Sequence, residues 1–447
     1  MEGFRRSHQR LLLGRATAEA IAREELENIK QYDRKLNAFI TIFDGESEPA
    51  LERAREVDSL LGDGKHGEDS LFGAPVVIKD DFFLSGYRTT NACFAFRNFV
   101  PSSTAMVVER LLRAGMVPLG KTNMHELALG ATSSSSFYGP VRNPHDPNRI
   151  SGGSSGGTAV AVAASRHPLL GLGTDAGGSV RTPAALCGIC GFKPSLGMLS
   201  TEGAFPLSAT LDHTGIMTRT MEDMLIAFGA IVDTNRLPGR GERRPRLRVG
   251  IPNAHFANEL HERVSKEFWR AVDRLRTLDD LEVIEGVRFP SASKINASRT
   301  TIQIREAAWF YEEIVRSENL RQRMHADVLS FLDAGSKIGM LEYMHANRAR
   351  AELIGEMSAI FEEVDFLLMP TCLTVAPRLE EVQGMERGSV RRLLIANTEP
   401  FNLCGFPALT VPASRDAGLP VGLQIVGGYT RDAQVLELGN TAWQALH

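Results

Sequence analysis

The sequence has few cysteines, no surplus of charge of one sign and no long apolar run. Five cysteines in 447 residues are too few, and odd in number, for the disulfide framework of a small secreted domain. The 50 lysines and arginines nearly balance the 54 aspartates and glutamates, and the net charge is −4. This balance provides no general basic field that would attract a nucleic acid.

Apolar stretches are too short for a membrane span or a signal peptide. No uncharged run approaches the roughly 20 apolar residues of a membrane-spanning helix. Near the N-terminus, Arg5, Arg6 and Arg10 are followed by three leucines at 11–13, whereas a secretory signal has about 7–15 apolar residues. Hydrophobic residues at 43% and charged residues at 23% are typical of globular proteins. We therefore expect a soluble, cytoplasmic protein of enzyme size.

Helix and strand patterns alternate along the chain. Apolar residues at helical spacing follow Thr17, a candidate N-cap. The apolar run at 72–79 predicts a buried strand that ends on Lys79. Alternation of helices and strands predicts an α/β fold. The other segments with a clear pattern are a helix at 103–114 and strands at 116–120, 247–251, 365–371 and 420–426.

Residues 131–157 are rich in serine, glycine, asparagine and proline and have almost no periodicity. So long a segment without regular structure usually forms a functional loop. A helix of small residues is predicted after it, at 158–165. Loops are also predicted at 58–70 and at 236–248, where six arginines indicate a solvated linker or, alternatively, a nucleic-acid patch without interleaved aromatic residues. Helical segments are predicted after the strand at 247–251 and through Phe361, the longest around 340–360.

Residues 152–157 (GGSSGG) open the small-residue helix. Backbone amides at a helix N-terminus bind anions, so a phosphate cradle is one interpretation. No Lys-Ser/Thr pair follows the last glycine, as a Walker-type loop requires. The same residues match the G-x-S-x-G nucleophile pattern around Ser154, but turn-forming residues rather than a strand precede them. Both interpretations remain alternatives.

A second glycine–serine segment lies at 173–183. Gly177 and Gly178 directly precede Ser179, and such glycines let the backbone turn its N–H groups toward one point, as in an oxyanion hole beside a nucleophile. The alternative is an ordinary glycine turn.

Two other groups are weaker candidates. Cys187 and Cys190 have the spacing of metal ligands, but no matching pair completes a zinc site, so we interpret them as buried small residues. His125, beside Glu126, either lines a pocket or is an ordinary polar residue.

Together these motifs resemble the amidase signature family, whose members hydrolyse carboxamides with a Ser–cis-Ser–Lys triad. The resemblance spans from about residue 17 to the C-terminus and is weak between 235 and 360. It implies a large twisted mixed β-sheet between layers of helices. It also implies a single domain over 1–447 with a divergent, largely helical region at about 235–360. The matching stretches are 152–194, 72–80, 120–124, 139–144 and 420–427.

The resemblance assigns a role to each motif residue. Ser179 matches the nucleophile, Ser154 the bridging serine that follows a cis peptide bond, and Lys79 the base. Ala128 matches a position along the substrate pocket, where it contacts substrate through its backbone or simply packs. The implied oxyanion donors are the backbone N–H groups of Ala176, Gly177, Gly178 and Ser179.

A lysine base must be neutral, although an unperturbed lysine has a pKa of about 10.4. Burial disfavours the ammonium and lowers that pKa, and the apolar run before Lys79 favours burial. Carboxylates at Asp80 and Asp81 would oppose this shift, so we expect both to point away from the amine. Asp175 and Arg181 are expected to pair and to support the nucleophile loop. This chemistry requires no metal and no organic cofactor.

The expected function is hydrolysis of a small carboxamide to a carboxylic acid and ammonia or amine. Neither a nucleic acid nor a membrane is an expected partner, and a homodimer is what the resemblance implies. The alternative is the glutaminase subunit of a tRNA-dependent amidotransferase, which uses the same triad and needs partner subunits. A non-catalytic binding protein is a third hypothesis. The presence of Lys79, Ser154 and Ser179 together argues against it.

Overall fold

The computed structural model describes residues 3–45, 49–61, 71–233, 235, 246–256, 259–382, 388–413 and 418–447. Within these residues eleven strands form one sheet. The strands are β1 (Phe39–Ile42), β2 (Pro75–Lys79), β3 (Val117–Thr122), β4 (Leu170–Asp175), β5 (Cys190–Lys193), β6 (His213–Thr218), β7 (Leu247–Ile251), β8 (Leu281–Glu285), β9 (Phe366–Pro370), β10 (Ala408–Pro412) and β11 (Gly422–Gly427).

The order of strands in the sheet is β1-β3-β2-β4-β6-β5-β10-β11-β9-β7-β8. Strand β2 is parallel to both β3 and β4, and β7 is parallel to both β8 and β9. The remaining pairs are antiparallel. The sheet is therefore mixed, and with helices on both of its sides the predicted α/β fold class is confirmed.

In the first half of the chain helices and strands alternate, whereas five helices follow one another between β8 and β9. The helices are α1 (Phe4–Leu12), α2 (Ala18–Leu36), α3 (Pro49–Leu61), α4 (Met106–Arg113), α5 (Gly156–Ala164), α6 (Arg181–Cys187), α7 (Met221–Ile231), α8 (Asn253–Phe256), α9 (Glu262–Leu275), α10 (Ala292–Phe310), α11 (Glu312–Arg316), α12 (Glu318–Arg321), α13 (Ala326–Ser336), α14 (Met340–Glu363), α15 (Leu379–Val382), α16 (Ser389–Ile395), α17 (Glu399–Leu403) and α18 (Asp432–Leu446). None of the helices in the described residues combines the length and the apolar character that crossing a membrane requires.

Local sequence signals explain several element ends. The Thr17 side chain accepts a hydrogen bond from the Ala20 N–H, as an N-cap does. At the other end of α2, Asn37 adopts a left-handed conformation with φ of 54°, a common way to end a helix. All five residues of β2 are buried, which explains why the sequence there is apolar throughout rather than alternating.

Some predicted boundaries need correction. The loop predicted at 58–70 is wrong for residues 58–61, which continue α3, and residues 62–70 lie outside the described residues. The predicted arginine-rich linker at 236–248 also lies outside them up to residue 245, while Arg248 belongs to β7. Residues 131–155 contain no helix and no named strand, as predicted, but the predicted end of this loop at residue 157 is wrong because α5 already begins at Gly156.

Candidate active site

Two parallel strands deliver the candidate residues to one edge of the sheet. Strand β2 ends on Lys79 and its parallel neighbour β4 ends on Asp175. The two candidate serines each lie just before a helix, Ser154 before α5 and Ser179 before α6. Both candidate serines line one small cavity. Its lining residues are Ala128, Ser154, Thr174, Ala176, Ser179, Phe205, Leu207 and Asp212.

Lys79 is fully buried and bonded to two hydroxyl groups. Its Nζ donates to Ser154 Oγ over 2.7 Å and to Thr174 Oγ1 over 2.6 Å. The Thr174 hydroxyl in turn donates to Asp81 Oδ2 over 2.6 Å. The predicted hydrogen bond between Lys79 and Ser154 is thus present. Thr174, which the sequence analysis did not find, contacts both Lys79 and Asp81.

The expectation that both aspartates point away from Lys79 is wrong for Asp81. Asp81 Oδ2 lies 3.1 Å from Lys79 Nζ, whereas Asp80 Oδ1 lies 3.1 Å from Lys121 Nζ. The reason is that the chain turns directly after β2. The Phe82 N–H donates to the Lys79 carbonyl over 3.1 Å, so Asp80 and Asp81 are the two central residues of a turn, which brings Asp81 back to Lys79 while Asp80 faces Lys121.

Burial lowers the pKa of Lys79, and the Asp81 carboxylate partly opposes this shift. The net direction is downward. Removal of the ammonium from water is thus the dominant influence, even with a carboxylate in contact. A lowered pKa increases the fraction of neutral amine, which is the form that accepts a proton.

Ser154 is held by its backbone as well as by Lys79. The Gly153–Ser154 peptide bond is cis, as the resemblance implies. The Ser154 carbonyl accepts hydrogen bonds from the His125 N–H over 3.1 Å and from Ser133 Oγ over 3.2 Å. A direct bond from Ser154 to the Ser179 hydroxyl, expected for a proton relay, is not found among the described residues. The two hydroxyls share the cavity, and such contacts are often long before a substrate binds.

The loop before Ser179 presents unused backbone donors. Asp175 accepts hydrogen bonds from the N–H groups of Gly178 over 2.7 Å and Val180 over 3.0 Å. Because the Gly178 N–H is engaged in this way, its expected role as an oxyanion donor needs correction for this conformation of the loop. Within the described residues, the N–H groups of Ala176, Gly177 and Ser179 donate no hydrogen bond. This leaves a cluster of donors beside the Ser179 hydroxyl.

The expected pairing of Asp175 with Arg181 is present. Arg181 Nη2 lies 3.0 Å from Asp175 Oδ1, and Nε donates to Oδ2 over 3.1 Å. Burial alone would raise the pKa of Asp175, but Arg181 holds it well below its usual range. The guanidinium also donates to Thr398 O, Gln424 Oε1 and Asn402 Oδ1, so that the loop is fixed to the second half of the chain.

The other candidate residues differ in their relation to the cavity. Ala128 lines it with a positive φ of 58°, a conformation that is uncommon for a residue other than glycine. His125 is buried, lies 3.7 Å from an Asp327 oxygen and is not among the lining residues. Cys187 and Cys190 are buried, and no group of three or more potential metal ligands exists in the described part of the chain.

Asp212 is a cavity residue that the sequence analysis missed. One of its oxygens, Oδ2, accepts hydrogen bonds from the Leu207 and Ser208 N–H groups, each over 2.9 Å. Burial raises the pKa of Asp212 to about 7. A lone aspartate outside the motif segments carries no local signal, and only the fold brings it to the cavity.

A buried lysine bonded to a serine, next to a glycine–serine loop with free N–H groups, is a site suited to hydrolysis through an activated hydroxyl. Residues 20–436 match the family described as Amidase, and the chain belongs to this family. Its relatives are amidases and amidotransferases, and the chain is an enzyme of this kind that acts on C–N bonds.

The chain is similar to both amidases and amidotransferase subunits of this family. It is 32% identical to a glutamyl-tRNA(Gln) amidotransferase subunit of an Exiguobacterium species (strain AT1b), over 99% of this chain and 97% of that protein. A solved structure described as an amidase is 35% identical, with a TM-score of 0.88 and full coverage of both chains. The solved glutamyl-tRNA(Gln) amidotransferase subunit from Thermotoga maritima is 29% identical, with a TM-score of 0.75 over 94% of this chain and 90% of that chain.

Proposed function

We propose that this enzyme hydrolyses a carboxamide to a carboxylic acid and ammonia or amine through an acyl-enzyme on Ser179. The observation that carries the proposal is the bond of 2.7 Å between buried Lys79 and Ser154 at the cavity that Ser179 also lines. A serine hydroxyl becomes a competent nucleophile only when a positioned base takes its proton. Lys79 is the base within reach of this cavity.

The first half-reaction forms the acyl-enzyme. Ser179 Oγ attacks the carbonyl carbon, and its proton passes through the Ser154 hydroxyl to Lys79 Nζ. The C–N bond then breaks, and the leaving nitrogen takes the proton back from Lys79 through Ser154. In the second half-reaction a water attacks the ester carbon, gives its proton along the same route, and the Ser179 hydroxyl is restored with release of the acid.

The unengaged N–H groups of Ala176, Gly177 and Ser179 support this proposal. During attack the carbonyl oxygen gains negative charge, and preorganised donors stabilise that charge. Loss of one donor of this type typically costs about 10²–10³ in rate. The hold of Asp175 and Arg181 on the loop keeps the donors in place before the substrate arrives.

Two candidates differ in substrate and in assembly. The first is a free-standing amidase that acts on a small carboxamide, in agreement with the likeness to the solved amidase. The second is the glutaminase of a multi-subunit amidotransferase. The curated relatives are named as subunits of glutamyl-tRNA(Gln) amidotransferase, and they favour the second candidate more than the first. Both use the same acyl-enzyme chemistry.

Ammonia release by the purified chain distinguishes the candidates. The chain alone is incubated with aliphatic, aryl and ureido amides and with glutamine, and Ser179→Ala serves as the inactive control. Steady turnover of a small amide without partners supports the first candidate. The second candidate is supported if glutamine is the only amide that is hydrolysed, or if hydrolysis begins only after partner subunits are added. No turnover of any amide in either condition would contradict the proposed chemistry.

A further inference from the structure

A buried arginine lies against the nucleophile loop. Arg299, on α10, is 2% exposed. A Cβ placed on Gly177 would lie 2.2 Å from Arg299 Nη2, so only glycine at 177 permits this approach. The guanidinium therefore packs directly on the backbone two residues before Ser179.

Arg299 lacks the partners that a buried guanidinium normally has. Its guanidinium carries five N–H donors, yet it donates no hydrogen bond within the described part of the chain, and the buried Nε has no partner. The nearest anion is Glu399, whose Oε2 lies 3.6 Å from Nη1. Burial of a charge without hydrogen-bonded partners is costly. A buried polar group left in this state calls for an explanation, such as a ligand.

Arg181 shows what a satisfied arginine looks like in the same region. It is equally buried, and its guanidinium makes five hydrogen bonds to Asp175, Thr398, Gln424 and Asn402. The fold is thus able to satisfy a guanidinium beside this loop. The unused donors of Arg299 are therefore a local property of its position.

Charged groups of both signs lie near Arg299. Burial and the charge of Arg391, on α16, lower the pKa of Arg299 to about 10, which still leaves Arg299 cationic at neutral pH. The carboxylates of Glu399 and Asp175 oppose this shift, but Asp175 is paired with Arg181 and the Glu399 carboxylate is shared with Asn296 Nδ2 over 3.2 Å. Neither of these two described carboxylates accepts a hydrogen bond from Arg299, so its guanidinium donors are available to a further anion.

We propose that Arg299 binds a carboxylate carried on the acyl chain of the substrate, so that the enzyme prefers carboxamides that bear a carboxylate. This inference rests on the proposed function. Ala176 and Ser179 line the cavity and flank Gly177, against which Arg299 packs. An acyl chain that extends from Ser179 along this loop brings its carboxylate to the unused donors of Arg299. Guanidinium and carboxylate are matched partners that form two parallel hydrogen bonds.

The test compares two substrates of similar shape. Succinamate carries the carboxylate, and 4-methylpentanamide replaces it with an isopropyl group. We expect the wild type to prefer succinamate at least 10-fold in kcat/KM. Arg299→Met should lower kcat/KM for succinamate by about 10- to 150-fold, the range for hydrogen bonds to a charged group, and change that for 4-methylpentanamide less than 3-fold. Equal losses for both substrates, or no preference in the wild type, would overturn the proposal.

Two further variants test whether the effect is specific to the position and charge of Arg299. Lys294→Met removes an exposed cation from the same helix, where Lys294 pairs with Glu356 over 2.7 Å, and should leave the preference unchanged. Arg299→Lys keeps a charge at the site and should retain part of the preference. If Lys294→Met abolishes the preference as Arg299→Met does, the effect is one of general charge and the proposal fails.

Binding separates this inference from the proposed reaction. Calorimetry on Ser179→Ala measures affinity without turnover. We expect succinamate to bind about 10- to 150-fold more tightly than 4-methylpentanamide, and we expect Arg299→Met in that background to remove the difference. If the wild type hydrolyses no amide but this difference is found, the carboxylate site stands while the proposed reaction fails. If neutral amides are hydrolysed but the difference is absent, the reaction stands and the carboxylate site is refuted.

Discussion

Asp81 controls how readily Lys79 gives up its proton. Its carboxylate lies 3.1 Å from Lys79 Nζ and raises the lysine pKa against the dominant effect of burial. Asp81→Asn removes this charge while the amide oxygen still accepts from the Thr174 hydroxyl. We therefore expect the pKa of Lys79 to fall further in this variant.

The size of the shift follows from the distance. Two unit charges 3.1 Å apart interact by about 5 kcal/mol at an effective dielectric constant of 20, which is an upper limit for the change. Opposite charges at such distances typically move a pKa by about 1–3 units. The acidic limb of kcat/KM against pH should therefore move to lower pH by about 1–3 units. The plateau should be lower, because the ammonium formed during attack has lost its counter-charge.

The assay is the pH–rate profile of ammonia release from one amide, for the wild type and for two variants. Asp80→Asn is the matched control, because Asp80 is the adjacent carboxylate and faces Lys121 instead. Circular dichroism establishes that each variant is folded. A limb that stays in place in Asp81→Asn, or moves to higher pH, would refute the view that Lys79 deprotonation limits the reaction. An equal shift in Asp80→Asn would show that the effect is not specific to Asp81.

Three further predictions concern the site. Ser179→Ala should abolish hydrolysis and leave the melting temperature within about 2 °C, because surface or cavity hydroxyls contribute little to stability; near-normal turnover would move the nucleophile elsewhere. The folded pKa of Lys79 lies below its unfolded value of about 10.4, so the unfolded chain binds the proton more tightly and stability should rise with pH between the two values. Lys79→Met should abolish activity, and thermal melts between these two pH values should show a smaller increase of stability with pH. An unchanged dependence of stability on pH would contradict the lowered pKa of Lys79. Arg181→Met should lower the free energy of unfolding by about 3–5 kcal/mol, because it leaves buried Asp175 unpaired, and a loss below about 1 kcal/mol in denaturant titrations would refute that role.

The parts of the fold that sequence predicts well are those with a strong local pattern. The buried run before Lys79 indicates both a strand and the burial of its last residue, and β2 has both properties. The loop at 131–155 and the position of Ser154 before a helix follow from composition and glycine placement. Arg181 and Asp175 could be paired because they flank one short loop.

The residues that sequence did not predict depend on contacts between distant segments. Asp81 was misplaced because its orientation depends on how the chain turns after β2. Asp212 and Arg299 come to the site from separate segments with no motif of their own, and Arg299 becomes notable only through its missing partners. Hydrogen bonds such as that of Gly178 with Asp175 are set by the final path of the loop, which glycine spacing alone does not determine.

The most direct test of the central claim is mass spectrometry of the enzyme quenched during turnover of a slowly deacylated substrate. Proteolysis then separates the peptide that contains Ser179 from the peptide that contains Ser154. The account predicts that the acyl mass appears on Ser179 alone, and that it is absent in Lys79→Met treated in the same way. An acyl group on Ser154, or continued turnover with no acylated serine, would contradict it.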